Sequence, residues 1–128
     1  MRILIVDDSR IMRNIVKNAL LQSTRFAHAT CLDASDGAEA LRLIKASRID
    51  LLLLDWNMPM MNGLELVKHL RAIEEYARLP IIMVTSEAAK YSVIEAVKAG
   101  VNDYIIKPVS ERSLLEKINR LGLQGARA

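Results

Sequence analysis

The sequence predicts a doubly wound α/β fold, a five-stranded parallel sheet with helices on both faces. Two observations point there. Short apolar runs alternate five times with segments whose apolar residues recur at helical spacing, a pattern that argues parallel strands joined by right-handed crossovers. The third run, Leu51-Leu52-Leu53-Leu54, is apolar at every position, which suits a strand covered on both faces.

Each element has its own signal. Arg2 to Val6 is a β-branched apolar run that stops at Asp7-Asp8. Ser9 is placed to cap the following helix, whose apolar positions are Ile11, Met12, Ile15, Val16, Ala19 and Leu20. Arg25 to Ala34 alternates loosely and is expected to hold the second strand. Asp36-Gly37 breaks it, and Ala38, Leu41 and Ile44 mark a second helix to about Ser47. After the leucine strand, Pro59 and Asn62-Gly63 turn the chain, and Leu64, Val67 and Leu70 share one face of a helix over residues 63–73. Pro80 precedes the fourth strand, Ile81 to Val84, which ends in Thr85-Ser86. Lys90 to Ala99 is the fourth helix, stopped by Gly100. Asp103 to Ile106 is the fifth strand and ends in Lys107-Pro108. Ser110 caps the last helix, Val109 and Leu114 are spaced as a hydrophobic staple, and the helix runs to Leu121. One domain is expected over residues 1–122, with residues 123–128 as a tail.

Composition narrows the function. At 128 residues the chain suits a single domain with a real core, and 52% hydrophobic with 26% charged residues is a globular balance. No apolar run approaches the roughly 20 residues of a membrane span and no signal-peptide pattern opens the chain, so a cytoplasmic protein without membrane contact is expected. The formal charge is +3, yet Lys and Arg are scattered singly along helical segments. Without a basic block or interleaved aromatics, nucleic acid is not an expected partner. The one cysteine, Cys31, excludes an intrachain disulfide and is expected as a buried structural thiol. His28 and His69 have no second ligand nearby and are expected at the surface. Met58, Met60 and Met61 are expected to pack the loop they share, and Trp56 to be either a packing residue or a functional contact, in both cases able to sense a metal at Asp55.

The polar residues that carry chemistry stand at strand ends. In a sheet of this class, ligands bind beyond the carboxyl ends of the strands, where the strand order reverses. Asp7 and Asp8 end strand one, Asp55 strand three, Thr85 strand four and Lys107 strand five, all on one edge. Strand two ends in nothing comparable. Carboxylates about 5 Å apart at an effective dielectric of about 20 repel by roughly 3 kcal/mol per pair, and a divalent cation relieves this. Hard oxygen ligands suit magnesium or manganese and exclude zinc. Asp8 and Asp55 are expected as direct ligands, Asp7 through a water, and Asn57 through its backbone carbonyl. Beside a metal and an ammonium group, Asp55 is a competent nucleophile toward a phosphoryl group, with Lys107 and Thr85 meeting the transferred oxygens. An acyl phosphate adds roughly −1.5 to −2 charge, enough to bias a two-state element, for which Tyr104 is the candidate.

The set Asp7-Asp8, Asp55, Thr85 and Lys107-Pro108 resembles the receiver domain of two-component response regulators. The stretch Asp55-Trp56-Asn57-Met58-Pro59, with Met12-Arg13, Glu87 and Tyr104, is similar to the stand-alone chemotaxis receivers in particular. This resemblance covers nearly the whole chain. It implies a flavodoxin-like sheet in the order 2-1-3-4-5, phosphorylation of Asp55 by a histidine kinase, magnesium dependence and a cis Lys107-Pro108 peptide. It further implies a Thr85/Tyr104 switch that remodels the face of helix four, strand five and helix five, where Lys90, Tyr91, Ile94, Tyr104, Ile106 and Lys117 form the output surface. Asn57 and Glu87 then flank the water that attacks the acyl phosphate. The implied partners are the kinase, a protein target such as a flagellar motor switch component, and a phosphatase. Met60, Asn62, Val109 and Tyr91 depart from the chemotaxis pattern in loops and on the output face, so they bear on partners rather than on the reaction centre.

Other functions fit less well. A magnesium phosphatase working through an aspartyl phosphate needs a general acid two residues after the nucleophile, and Asn57 cannot be one. A flavin module needs a Ser/Thr/Gly-rich phosphate loop after strand one, which is missing. The expectation is a signalling protein, not an enzyme toward other substrates, that catalyses only its own phosphorylation and dephosphorylation. A phosphorelay shuttle and a receiver excised from a larger regulator are the remaining roles.

Overall fold

The computed structural model describes residues 1–122 and places five parallel strands in the order β2-β1-β3-β4-β5. The elements follow the chain as β1 (Arg2–Val6), α1 (Arg10–Leu21), β2 (Thr30–Ala34), α2 (Gly37–Ala46), β3 (Leu51–Leu54), α3 (Gly63–Arg71), β4 (Ile81–Thr85), α4 (Lys90–Ala99), β5 (Asp103–Ile106) and α5 (Glu111–Arg120). The expected order 2-1-3-4-5 is found, and its reversal lies between β1 and β3. The carboxyl ends of those two strands therefore flank the crevice where such sheets bind ligands. The expected tail, residues 123–128, lies outside the described residues.

Period-2 alternation sorts the strands into two cores. Leu4, Val6, Leu52, Leu54, Ile81 and Met83 face one side and pack with Ile44 of α2 and with Leu66, Val67 and Leu70 of α3. Ile3, Ile5, Leu51, Leu53, Ile82, Val84 and Ile105 face the other and pack with Val16 and Leu20 of α1 and Leu114 and Ile118 of α5. All four leucines of β3 are buried, as a central strand covered on both faces requires; each contributes about 2 kcal/mol of burial.

The helix starts are written locally. Ser9 accepts from Met12 N, Asp36 from Glu39 N and Ser110 from Ser113 N, each capping its helix. Asn62 does more than turn the chain: it caps α3 in a capping box with Glu65, an Asn-x-x-Glu signal that sits in plain view in the sequence. The start of α4 has no such device, since its N-cap is Ala89 with no side-chain bond.

Four expectations need correction. The second strand covers only Thr30–Ala34; residues 23–29 form successive turns, closed by Phe26 N to Ser23 O and Ala29 N to Phe26 O, because fully buried Phe26 anchors the chain there. In α1 only Val16 and Leu20 are buried, whereas Ile11 and Ile15 are exposed, since the helix meets the sheet along one narrow stripe. Helix three stops at Arg71 and is followed by a short 3-10 turn, Glu74–Tyr76. Cys31 is half-buried rather than buried, because β2 is the edge strand, although that burial still pushes its thiol pKa up.

A candidate acidic site at the carboxyl edge of the sheet

Backbone bonds just past the strands lace the site segments together. Asp7 N donates to Ala34 O at 3.1 Å, Asp55 N to Val6 O at 2.9 Å, and Lys107 N to Thr85 O at 2.9 Å. The ladder thus continues one residue beyond β1, β3 and β5 and delivers Asp7, Asp55 and Lys107 to the same edge. Carboxylate oxygens of Asp7, Asp8 and Asp55 lie within 4.8 Å of one another. Asp7 and Asp55 are buried, each 6% exposed, while Asp8 reaches solvent.

The two buried carboxylates are held alike. Asp7 accepts from Ser9 N at 2.9 Å and Asp55 from Trp56 N at 2.8 Å. Their other oxygens share the Lys107 ammonium, at 2.8 Å from Asp7 and 3.3 Å from Asp55. Burial by itself would lower the Lys107 pKa, but the hydrogen bond to Asp7 and the charges of Asp55 and Asp7 outweigh it and hold the group above its ordinary value. The Lys107-Pro108 peptide is cis, as the resemblance implied.

The loop after β3 is pressed closely onto its own start. Gly63 N donates to Trp56 O at 2.7 Å, and a Cβ on Gly63 would stand 2.1 Å from the Asp55 carbonyl oxygen, so only glycine fits. Within the loop Met60 takes a positive φ of 69° and is exposed, whereas Met58 is buried and Met61 packs on the α2–α3 core. Trp56 is half-buried against that core, and Asn57 beside it is exposed. His28 and His69 are exposed.

Thr85 is fully buried, and its hydroxyl accepts from Glu87 N at 3.3 Å. The Tyr104 hydroxyl donates to Glu87 O at 2.7 Å. Burial, with the nearby charges of Glu87 and Asp55, pushes the Tyr104 pKa up to about 12. Of the expected output surface, Lys90, Tyr91, Ile94 and Ile106 are exposed, and half-buried Lys117 pairs with Asp103 at 3.0 Å. Tyr104 corrects that list. At 8% exposure it lies beneath the face rather than on it, whereas Tyr91 stands on it.

Strand two adds no residue to the acidic cluster, as expected of the edge strand, but it is linked to the site indirectly. Asp33, the penultimate residue of β2, pairs with Arg13 at 3.3 Å and with Lys17 at 2.7 Å, and Arg13 Nη1 donates to the Asp7 carbonyl at 2.6 Å. An acidic residue next to the end of an edge strand was the available signal.

As a donor set the cluster suits a hard divalent cation. It offers three carboxylates and no nitrogen or sulfur ligand, on an edge where the ammonium neutralises only part of the charge. Among the described residues no helix is long and apolar enough to cross a membrane.

Comparison with known proteins agrees with this geometry. The profile of the response regulator receiver domain matches residues 3–119. The chemotaxis protein CheY homolog of Campylobacter jejuni is 52% identical over 119 residues, 92% of this chain and 89% of that protein. Chemotaxis protein CheY-3 of Vibrio cholerae is 46% identical over 121 residues, 94% of this chain and 91% of that one. The solved structure of Vibrio cholerae CheY4 at low pH superposes with a TM-score of 0.84 at 33% identity, covering 94% of this chain and 97% of the other. With its sheet order, its acidic edge and these likenesses in agreement, the chain belongs to the receiver-domain family of two-component response regulators, and is CheY-like within it.

Proposed function

We propose that the chain is a phosphorylation-switched regulator in which Asp55 accepts a phosphoryl group from a histidine kinase. One observation carries this: Asp55 is buried at the end of the central strand, in a cluster with Asp7 and Asp8 and against the Lys107 ammonium. Asp8, Asp55 and the Asn57 carbonyl would hold magnesium, or manganese in its place, with Asp7 acting through a water. The bound cation supplies charge neutralisation for the incoming phosphoryl oxygens. Asp55 contributes the attacking oxygen; the phosphorus–nitrogen bond of the donor breaks and its electron pair stays on the leaving imidazole. Lys107, now shared by two carboxylates, pairs with one transferred oxygen, and the Thr85 hydroxyl donates to another.

The consequence travels through contacts already in place. Turning the Thr85 hydroxyl toward the phosphoryl group releases Glu87 N, and Glu87 O is the acceptor for Tyr104. The β4–α4 loop and the uncapped start of α4 then move together, altering the surface of Tyr91, Ile94 and Ile106. Asn57 and Glu87 tune the return reaction with water. The protein acts in the cytoplasm on a protein target, such as a motor switch component given its chemotaxis relatives, and a phosphatase resets it. It turns over no other substrate.

The test is Trp56 fluorescence as magnesium and then acetyl phosphate are added. Magnesium is expected to quench it and the donor to deepen the quench, with the second step missing in Asp55→Asn. A folded chain that responds to neither addition would overturn the assignment.

A further inference from the structure

We infer that Arg13 is a positioning residue for the acidic site, fixing the Asp7-Asp8 peptide from behind so that the Asp8 carboxylate is aimed at the cation. The inference rests on the metal reading above.

Consider how the two acids are restrained. Every polar group of Asp7 is engaged: its N–H by Ala34 O, its carbonyl by Arg13, and its carboxylate by Ser9 N and Lys107. Among the described residues nothing pairs with the Asp8 carboxylate. The peptide between them is planar, so the Asp7 carbonyl oxygen and the Asp8 Cα belong to one rigid unit. Holding that oxygen holds the base from which the Asp8 side chain springs. At 2.6 Å, the Arg13 bond is short even for a charge-assisted one.

Arg13 is itself preset. Its side chain is only 14% exposed, Asp33 takes its Nε at 3.3 Å, and Lys17 holds the other Asp33 oxygen at 2.7 Å. The chain of contacts runs from Lys17 of α1 to Asp33 of the edge strand, back to Arg13 of α1, and on to Asp7. Its place near the start of α1 opposes the helix dipole, so helix stability is no reason for a cation there. The choice of acceptor also fits. Lys107 occupies carboxylate oxygens and competes with a cation for them, whereas Arg13 adds positive charge through a carbonyl and leaves all three carboxylates available.

A plain structural role makes a different prediction: Arg13 would merely staple α1 to β2. Magnesium affinity, followed by Trp56 fluorescence, and melting temperature separate the two in the wild type, Arg13→Ala, Arg13→Lys and Asp33→Asn. Positioning predicts that Arg13→Ala weakens magnesium binding by about tenfold, as the loss of outer-shell partners does elsewhere. Arg13→Lys, which keeps a charged donor, should recover part of that loss, and Asp33→Asn should lose less than Arg13→Ala. If Arg13→Ala fails to fold, Arg13→Lys against Asp33→Asn carries the comparison, each expected to bind magnesium measurably more weakly than the wild type. Unchanged affinity in the folded variants, with lowered melting temperatures, would overturn the inference while leaving the metal reading intact. A wild-type chain without any magnesium response would overturn both.

Discussion

At the amino end of the sheet, charged and polar groups close back onto the chain. Asp50 accepts from Arg2 N at 2.7 Å and pairs with Arg48, and Asn102 accepts from Ile81 N at 2.8 Å. Arg71 donates to Gly100 O at 2.8 and 3.0 Å and to Tyr76 O at 2.7 Å, tying the end of α3 to the end of α4. A groove of about 680 Å3 opens there, lined in part by Ile44, Arg48, Ile49, Tyr76, Leu79 and Pro80. At the carboxyl end, Asp7 and Asp55 share one ammonium and Asp8 stands beside them, so negative charge is left in excess. The acidic cluster and this groove therefore lie at opposite ends. At the amino end Asp50, Arg71 and Asn102 close the fold, and the carboxyl end keeps negative charge in excess.

Substitutions at each end test that division. Gly63→Ala should have the largest effect, about 3 kcal/mol of stability lost, because the new methyl must displace the Asp55 carbonyl. Urea denaturation measures it, and magnesium response should suffer as well, since the displaced backbone belongs to Asp55. Lys107→Ala comes next. Phosphoryl uptake from acetyl phosphate should slow roughly 100-fold, and the output response should vanish even where uptake is driven to completion. Retained signalling in that variant would remove Lys107 from the switch. Arg71→Ala should cost about 2 kcal/mol by stranding the Gly100 carbonyl and removing one of the two bonds at Tyr76 O, while leaving magnesium binding at Trp56 unchanged. A changed magnesium response there would dissolve the contrast between the ends.

The smallest effect is expected from Tyr104→Phe, about 1 kcal/mol for the bond to Glu87 O. Its pH dependence sharpens the assignment. The folded Tyr104 pKa, about 12, lies above the ordinary 10.0, so the native state keeps a proton that the unfolded chain releases. That contribution is complete below about pH 10 and falls as pH rises toward 12. Stability measured by denaturation across that window should fall less steeply in Tyr104→Phe than in the wild type.

Much of this was legible in the sequence, for physical reasons. Apolar runs that stop at a polar residue locate strand ends, and topology then collects Asp7, Asp8, Asp55, Thr85 and Lys107 without any coordinate. What escaped depends on packing rather than pattern. Alternation over residues 25–34 looks like one strand, but burial of Phe26 claims its first half for turns. Helical spacing in α1 offers two neighbouring stripes, and only docking on the sheet chooses Val16 and Leu20 over Ile11 and Ile15. The reach of Arg13 to Asp33 and the inward position of Tyr104 are side-chain decisions made across 20 and 17 residues of chain.

The pair of Lys107 with Asp7 joins residues 100 apart in sequence. A chain made from its amino terminus presents Asp7, then Asp55, then Thr85, long before the ammonium that meets them exists. Contacts of such separation form late, because the intervening chain must first be ordered. A nascent or truncated chain that lacks β5 and Lys107 carries the acids without their counter-charge. The counter-charge of the acidic edge thus arrives only with the segment after the last strand, so the full cluster of charges marks a sheet that is complete.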